Sequence, residues 1–403
     1  MAHVRTALIV GGGVAGPVAA VALHKAGIEA VVYEAYADSA EGVGAFLGLG
    51  LNGIDALRAV DMDKPVLARG FPTPRMVIMN GNAKVLADFP NGGALADGTR
   101  AVTITRPDLY TALRAEVLRR GIRVEHGKQL VDAHISAEGV QARFADGSIA
   151  EADLLIGADG LRSTVRRLID PAAPEATYVG FLNTGGYARG IDIPGEAGVN
   201  YLVFGKRSFF GYIKAPDGDI WWFANPPTPS EPDPAELAAI TPEQWRTHLT
   251  ELFTDDATPA LEVIDRTEDN FSGWITYDLP SVPTWHNHRM LIIGDAAHAV
   301  SPSAGQGASM AIEDAVTLGK CLRDRPHTPD ALARYEQLRR GRVERVVAQG
   351  RRNGNGKTAG PVGRIARDLF MPLAMRYMFR AGRDPFLWLW DHHIDWTAPA
   401  RTP

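Results

Sequence analysis

The chain is predicted to be an α/β protein: a Rossmann-like dinucleotide-binding domain, a second and mainly β-sheet domain, and a C-terminal helical segment. Three observations predict this. Residues 5–10 form a continuously apolar strand that runs through a glycine-rich turn into a helix and then into a second strand at 28–34. Residues 179–225 are rich in β-branched and aromatic types, with Pro216-Asp217-Gly218 marking a hairpin. Beyond about residue 330 the patterning is mostly helical.

In order, the first helix runs to about Ala26 and stops at Gly27. Pro107 starts another helix, which Gly121 ends. Short strands follow at about 122–126, 130–135, 140–145 and 148–157. The strand-like stretch 73–90 groups with the second sheet, whose hairpin pairs Phe209–Lys214 with Ile220–Ala224. Residues 233–254 read as helix, Met290–Ile293 as a buried strand and 306–322 as a helix. The dinucleotide domain thus takes 1–72, 100–178 and 270–350, the β-sheet domain 73–99 and 179–269, and the helical segment 351–403, with a break at Gly350–Gly360.

Length and composition narrow the class. The 403 residues, 45% hydrophobic, suffice for two or more cores. A net charge of −5, from 42 basic and 47 acidic side chains, gives no reason to expect nucleic acid as a partner. A single cysteine, Cys321, excludes a disulfide framework and a cysteine zinc site. The apolar run Ala7–Val10 is broken by Gly11, Gly12, Gly13 and Gly16, unlike a signal peptide. No apolar stretch approaches the ~20 residues of a membrane span. A soluble, cytoplasmic chain without stable membrane insertion is expected.

Gly11-Gly12-Gly13-Val14-Ala15-Gly16 fits G-x-G-x-x-G, and so does Gly48-Leu49-Gly50-Leu51-Asn52-Gly53. Only the first is read here as having a strand before it, a helix after it and an acidic residue, Glu34, at the end of the next strand. Gly11 permits the tight turn, Gly13 the approach of a pyrophosphate, and Gly16 close helix–strand packing; Glu34 is placed to accept from an adenosine ribose. Gly356-Lys357-Thr358 looks superficially like a P-loop, but Arg351 stands where the first glycine is required and no strand precedes it. It is read as a helix–helix connection.

Two later segments choose the dinucleotide. Asp153–Gly157 is an apolar strand running into Ala158-Asp159-Gly160, then a helix with Arg162 and Arg166. Met290–Ile293 runs into Gly294-Asp295-Ala296-Ala297-His298, then Pro302 and Gly305-Gln306-Gly307 open a helix with inner face Ile312, Ala315, Val316 and Gly319. Asp295 suits a ribityl hydroxyl, and the helix N-terminus suits the N1–C2=O region of a reduced flavin. His298 is read as a packing residue of this loop in preference to a general base. His286/His288 and His392/His393 lack a third ligand, so no metal is expected.

Together, the glycine loop with Glu34, the Asp159-Gly160 segment and the Gly294-Asp295 segment resemble, over about residues 5–350, the class A flavin monooxygenases related to para-hydroxybenzoate hydroxylase. The resemblance implies bound FAD. It implies that Arg106, in Thr105-Arg106-Pro107-Asp108, is the flavin-phosphate arginine, and that Gly44, in Gly42-Val43-Gly44-Ala45, lies in the loop passing the isoalloxazine. One departure is that many phenol hydroxylases of this family carry an arginine near that loop, and none lies here between Glu34 and Arg58. By the same resemblance NADH or NADPH docks transiently, O₂ adds at flavin C4a, and the distal oxygen passes to an electron-rich aromatic or polyketide-like substrate. No catalytic side chain is then required. Phe209, Phe210, Tyr212, Trp221, Trp222 and Phe223 could wall the substrate; alternation puts Trp221 and Phe223 on one face and Trp222 on the other, and Phe210, Tyr212 and Trp222 are taken as the candidate pocket walls. A flavin halogenase is disfavoured, since its Trp-x-Trp-x-Ile-Pro signature is missing. An FAD-dependent reductase or dehydrogenase, or a ligand-sequestering homologue, remains the alternative. The tail resembles the C-terminal helix bordering the pocket of tetracycline-inactivating members. With an apolar stripe at Phe370, Leu373, Ala374, Tyr377 and Met378, residues 362–380 are expected to pack on both domains near the pocket mouth.

Overall fold

The computed structural model describes residues 3–37, 46–268, 272–357, 360–380 and 384–400. The first strand, Thr6–Val10, is the centre of a five-stranded sheet. The order across it is Met290–Ile292, Leu154–Gly157, Thr6–Val10, Glu29–Tyr33, Arg123–Glu125, and every pairing is parallel. Three sequence motifs therefore leave the carboxyl ends of three neighbouring strands, on one edge of one sheet. That edge is where open α/β sheets bind ligands.

The three central strands, Met290–Ile292, Leu154–Gly157 and Thr6–Val10, are almost wholly apolar and buried because both their faces are covered, while the edge strand Arg123–Glu125 is polar. The helix Ala15–Lys25 shows why a helix can be hydrophobic all round: Val18–Leu23 are fully buried between the sheet and the helix Gly307–Asp324. Gly319 sets that approach, since a Cβ there would lie 2.7 Å from the Ala22 methyl.

The second domain is built on a seven-stranded sheet, in the order Gly273–Asp278, Thr177–Ala188, Ile220–Asn225, Phe209–Lys214, Val199–Phe204, Arg75–Asn80, Val85–Pro90. The hairpin at 216–218 and the placing of 73–90 in this sheet are as the sequence predicts. One face carries the helices Pro242–Phe253 and Ala260–Asp265 over a core of Phe210, Trp222, Trp245 and Phe253.

Three expectations need correction. The decoy loop at 48–53 does sit in a strand–helix frame, between Phe46–Leu49 and Leu51–Ala59, but that strand pairs antiparallel with Val102–Thr105 in a separate small sheet. The helix Thr328–Lys357 passes unbroken through Gly350, Gly354 and Gly356. Each glycine costs a helix about 1 kcal/mol, and tertiary packing offsets this: Gly350 rests on Ala304 and the Ser301 carbonyl, and Gly354 on Phe181 and Ser303. Finally, the helix Pro361–Arg380 packs on the edge strand Val85–Pro90 with a different face. Met371, Met375, Met378 and Phe379 meet Phe89, while Phe370, Leu373 and Tyr377 of the expected stripe are exposed. Long unbranched methionines fill the irregular gap beside Phe89. Residues 384–400 then return along the first domain, where Trp388, Trp390 and Trp396 pack on its core. No helix among the described residues is long and apolar enough to cross a membrane.

Candidate active site

The glycine loop is shaped by contacts that exclude side chains. Gly11 has φ +110°, and a Cβ there would lie 2.2 Å from the Ala158 carbonyl oxygen. A Cβ on Gly16 would lie 1.9 Å from the carbonyl oxygen of Gly11. These contacts clamp the loop between its own helix and the Asp159 strand. Gly13, by contrast, faces open space. The helix it opens has neither a side-chain N-cap nor an acidic residue in its first turn, so its N–H groups are free for an anion. Glu34 accepts from the Gly12 N–H at 2.6 Å and the Tyr36 N–H at 3.0 Å, which fixes its carboxylate beside the loop. Gly44 lies outside the described residues.

Asp159 spends both oxygens locally, accepting from the Ser163 hydroxyl at 2.6 Å, the Thr164 N–H at 2.7 Å and the Val165 N–H at 3.0 Å. Burial raises its carboxyl pKa in spite of these bonds. The turn at Gly160 thereby presents backbone to the crevice. Arg166 is buried and donates to the carbonyls of Ala296 at 2.9 Å and Leu161 at 2.8 Å, tying the second motif to the third.

At Gly294 (φ 60°, ψ −140°) the chain turns from the strand into a short helix, and its N–H donates to Asp314 at 2.9 Å. Asp295 follows at the strand end, exposed to water although protein closely surrounds its carboxyl. That enclosure raises its carboxyl pKa, against the opposing fields of His298 and Arg106. Arg106 and Asp295, far apart in sequence, therefore lie near enough in the fold for their charges to interact. The segment Pro302–Ala304 and Gly305 lead into the helix Gly307–Asp324, which also lacks a side-chain N-cap; Gly305 and Gly307 face open space.

Behind this loop stands a network that sequence reasoning missed. Asp314 pairs with His298 and with Arg339 Nε at 2.7 Å, and Glu313 pairs with Arg339 and with Arg342 at 2.8 Å. Burial alone would raise both carboxyls. The His298 and Arg339 fields outweigh it at Asp314, and the Arg339 and Arg342 fields at Glu313, so each is held at about 2. His298 is thus a structural partner of Asp314. Asn52 donates to Gln306 at 2.9 Å and to Glu313 at 2.7 Å, bracing the same loop. Asn52 Oδ1 and Gln306 Nε2 are buried without a partner among the described residues. Unspent polar atoms of this kind at a crevice floor fit a bound polar group. Of the two histidine pairs, His286 meets Glu336 at 3.2 Å, His393 meets Asp55 at 2.8 Å, and His392 lies 3.6 Å from Glu313 of this network.

The proposed pocket walls Phe210, Tyr212 and Trp222 are corrected by the structure. They are 0%, 3% and 0% exposed, on the sheet face turned to the helices, where Phe210 stacks on Trp222 at 5.5 Å and Trp222 donates to Thr267 at 2.8 Å. The opposite face carries Trp221 and Phe223, both half-buried. Phe46, which directly follows the Gly44 loop, lies 5.5 Å from Trp221 and 6.2 Å from Phe223; Tyr187 and Phe71 complete the group, 5.3 and 5.0 Å from Trp221. A separate cavity of about 320 Å³, lined by Thr6, Leu8, Lys128 and Phe144 among others, contains none of the three motifs.

Comparison with known proteins matches this arrangement. Residues 4–350 fit the family model described as FAD binding domain. The chain belongs to that family. It is 31% identical, over 87% of its length and 88% of the relative's, to the aurachin C monooxygenase/isomerase of Stigmatella aurantiaca. Among solved structures it is similar to Klebsiella pneumoniae HpxO complexed with FAD and uric acid, with a TM-score of 0.83 and 26% identity over 96% of this chain and 97% of that one. The tetracycline destructase Tet(55) shares the fold, with a TM-score of 0.67 at 19% identity over 95% and 99%.

In this FAD crevice Asp295→Ala is expected to weaken FAD retention by about 1–3 kcal/mol, roughly five- to a hundredfold, and more than Glu34→Ala does. Glu34 already spends its carboxylate on the Gly12 and Tyr36 N–H groups, whereas no hydrogen bond from the described residues occupies that of Asp295, which protein closely surrounds. Fluorimetric titration of the apoproteins with FAD checks the ranking, and equal dissociation constants would refute it.

Proposed function

We propose that this FAD-dependent monooxygenase uses NADH or NADPH and O₂ to hydroxylate an aromatic or polyketide-like small molecule, held between the flavin crevice and the open face of the seven-stranded sheet. The observation that carries the reading is the convergence of Phe46, Phe71, Tyr187, Trp221 and Phe223 on one face, Phe46 coming two residues after Gly44 in the sequence. Gly11, Gly13, Gly16, Glu34, Arg106, Asp295, Gly305 and Gly307 would hold the dinucleotide, with Asp159, Gly160, Gly294 and Pro302 shaping the backbone around it. Gly44 keeps its role as an expectation of the family.

Bound FAD supplies the redox chemistry, accepting hydride from the nicotinamide and activating O₂. The chain's own residues bind, orient and shield. Aromatic faces give a flat substrate large contact area and favour edge or offset stacking, worth about 0.5–1.5 kcal/mol per pair beyond burial. They also exclude water, which protects a reactive oxygen donor from discharge.

Stimulation of NAD(P)H oxidation by a panel of phenols, heteroaromatic acids and polycyclic polyketides, with product mass measured, tests the reading. The expected result is a compound that raises NAD(P)H consumption at least about tenfold and gains one oxygen atom. Stimulated turnover with an unoxygenated, reduced or dehydrogenated product would favour a reductase or dehydrogenase. Ligand binding without turnover would favour a sequestering protein.

A further inference from the structure

The residue rejected with the P-loop-like motif, Lys357, reaches the aromatic face. It is the last residue of the helix Thr328–Lys357. One turn earlier, Asn353 donates to the Ser303 carbonyl at 3.0 Å, and this fixes the helix end beside the Pro302–Ala304 segment of the FAD crevice. From there the Lys357 ammonium donates to Asn225 Oδ1 at 2.6 Å and lies 4.1 Å from the centre of the Phe209 ring, with Phe181 and Phe223 at 5.6 and 5.9 Å. Asn225 is held in orientation because its amide donates to Asn183 at 2.9 Å. Phe223 is also the ring that faces Phe46, so Lys357 and Phe46 bracket one aromatic wall.

A lysine has three N–H donors. Among the described residues Asn225 accepts one, and the surrounding rings offer their faces to a cation but no further lone pair. The side chain remains partly open to solvent. A cation with unspent donors beside a cluster of aromatic rings is matched by an anionic oxygen on a flat ring. We propose that Lys357 is the substrate-recognising cation of this site, taking the acidic oxygen (carboxylate, phenolate or enolate) of an aromatic substrate seated against Phe223 and Trp221. The inference rests on the monooxygenase reading above and narrows its substrate to acidic aromatics.

Desolvation brings the lysine down to about 7, and no charged side chain among the described residues contributes to that shift. The groups packed around it, Asn225, Phe181, Phe209 and Phe223, do not titrate in this range. Near neutrality the amine is therefore partly unprotonated. A substrate O–H about as acidic as the ammonium would give its proton to the neutral amine: the O–H bond breaks, an N–H bond forms, and an oxyanion–ammonium pair results with no net proton exchange. A less acidic phenol would stay protonated and donate its O–H to the amine nitrogen. An already ionised carboxylate binds the ammonium directly, with uptake of one proton where the amine had been neutral. The bound anion in turn raises the lysine pKa.

The test titrates the FAD-loaded protein and its Lys357→Met and Lys357→Arg variants, following the flavin absorbance. The probes are 2-hydroxybenzoate, 3-hydroxybenzoate and urate, against the non-acidic 2-methoxybenzamide, 3-methoxybenzamide and tetramethylurate. The wild type is expected to prefer at least one acidic probe over its neutral counterpart by about tenfold or more below neutrality. That preference should fall as pH rises through the lysine titration. The arginine variant should keep it into the alkaline range, and the methionine variant should show none at any pH. A preference that survives in Lys357→Met, or a wild type with no acidic preference, overturns the inference. If the methionine variant fails to fold, the pH profiles of wild type and Lys357→Arg decide, since a purely structural lysine would leave both flat. Oxygenation of a neutral aromatic, without any acidic preference, would sink this inference while leaving the monooxygenase reading intact. Loss of all stimulated turnover across the wider panel would strike that reading itself.

Discussion

Arg339→Met should lose about 3–5 kcal/mol of stability, the usual cost of removing one partner from a buried ion pair. Arg339 is 1% exposed in its side chain and faces Glu313 and Asp314, both fully buried. Methionine fills similar volume but leaves Asp314 with His298 alone, while Glu313 keeps Arg342. Urea unfolding followed by tryptophan fluorescence measures the loss, and a change below about 1 kcal/mol would show that the network contributes little. The double variant Arg339→Met/Asp314→Asn should recover part of it, because the orphaned charge is then gone.

The pH dependence follows from the same geometry. Asp314 is held at about 2, below its ordinary 3.8, so its contribution to stability is complete above the ordinary value and is lost as pH falls through the lowered one. In Arg339→Met the carboxyl loses its main cationic neighbour besides His298, and acid unfolding should begin at higher pH than in the wild type.

Gly16→Ala should leave the protein nearly free of flavin. The added methyl would lie 1.9 Å from the carbonyl oxygen of Gly11, a backbone atom that cannot rotate away. Either the helix Ala15–Lys25 retreats from the sheet or the glycine loop deforms, and both displace the N–H groups that would hold the pyrophosphate. Overpacking of this kind costs about 1–3 kcal/mol, and carried into binding it raises the FAD dissociation constant by up to about a hundredfold. Flavin content after purification and FAD titration measure this directly. Gly13→Ala is a control for folding only: Gly13 meets no protein atom within 4 Å, so this variant should keep wild-type stability, although its methyl would face the pyrophosphate. Wild-type FAD affinity in Gly16→Ala would mean that the close contact is not what shapes the loop.

The five-stranded sheet and the three motifs on its edge were legible from the sequence because each is a local statement. An apolar strand, a turn residue and a helix start lie next to one another in the chain, and parallel pairing then brings the three strand ends together. The hairpin at 216–218 and the second sheet were legible for the same reason: turn chemistry and alternation are properties of neighbours. What the sequence by itself determined is therefore the class of fold and, through the family its motifs resemble, FAD as the cofactor. Alternation also established that Trp221 and Phe223 oppose Trp222. It could not say which face the helices 242–253 and 260–265 would cover, since both faces carry aromatic rings and the choice is made by packing across the domain. Tertiary structure decided that: it buried Phe210, Tyr212 and Trp222 under the helices and left Trp221 and Phe223 on the other face, beside Phe46. It likewise decided that Gly350–Gly356 stay helical, because contacts with Phe181 and Ser303 outweigh propensity. The Asp314–Arg339 pair and the Lys357–Asn225 bond join residues 25 and 132 positions apart. A single sequence records that such charges and amides exist; only the folded chain specifies which of them meet.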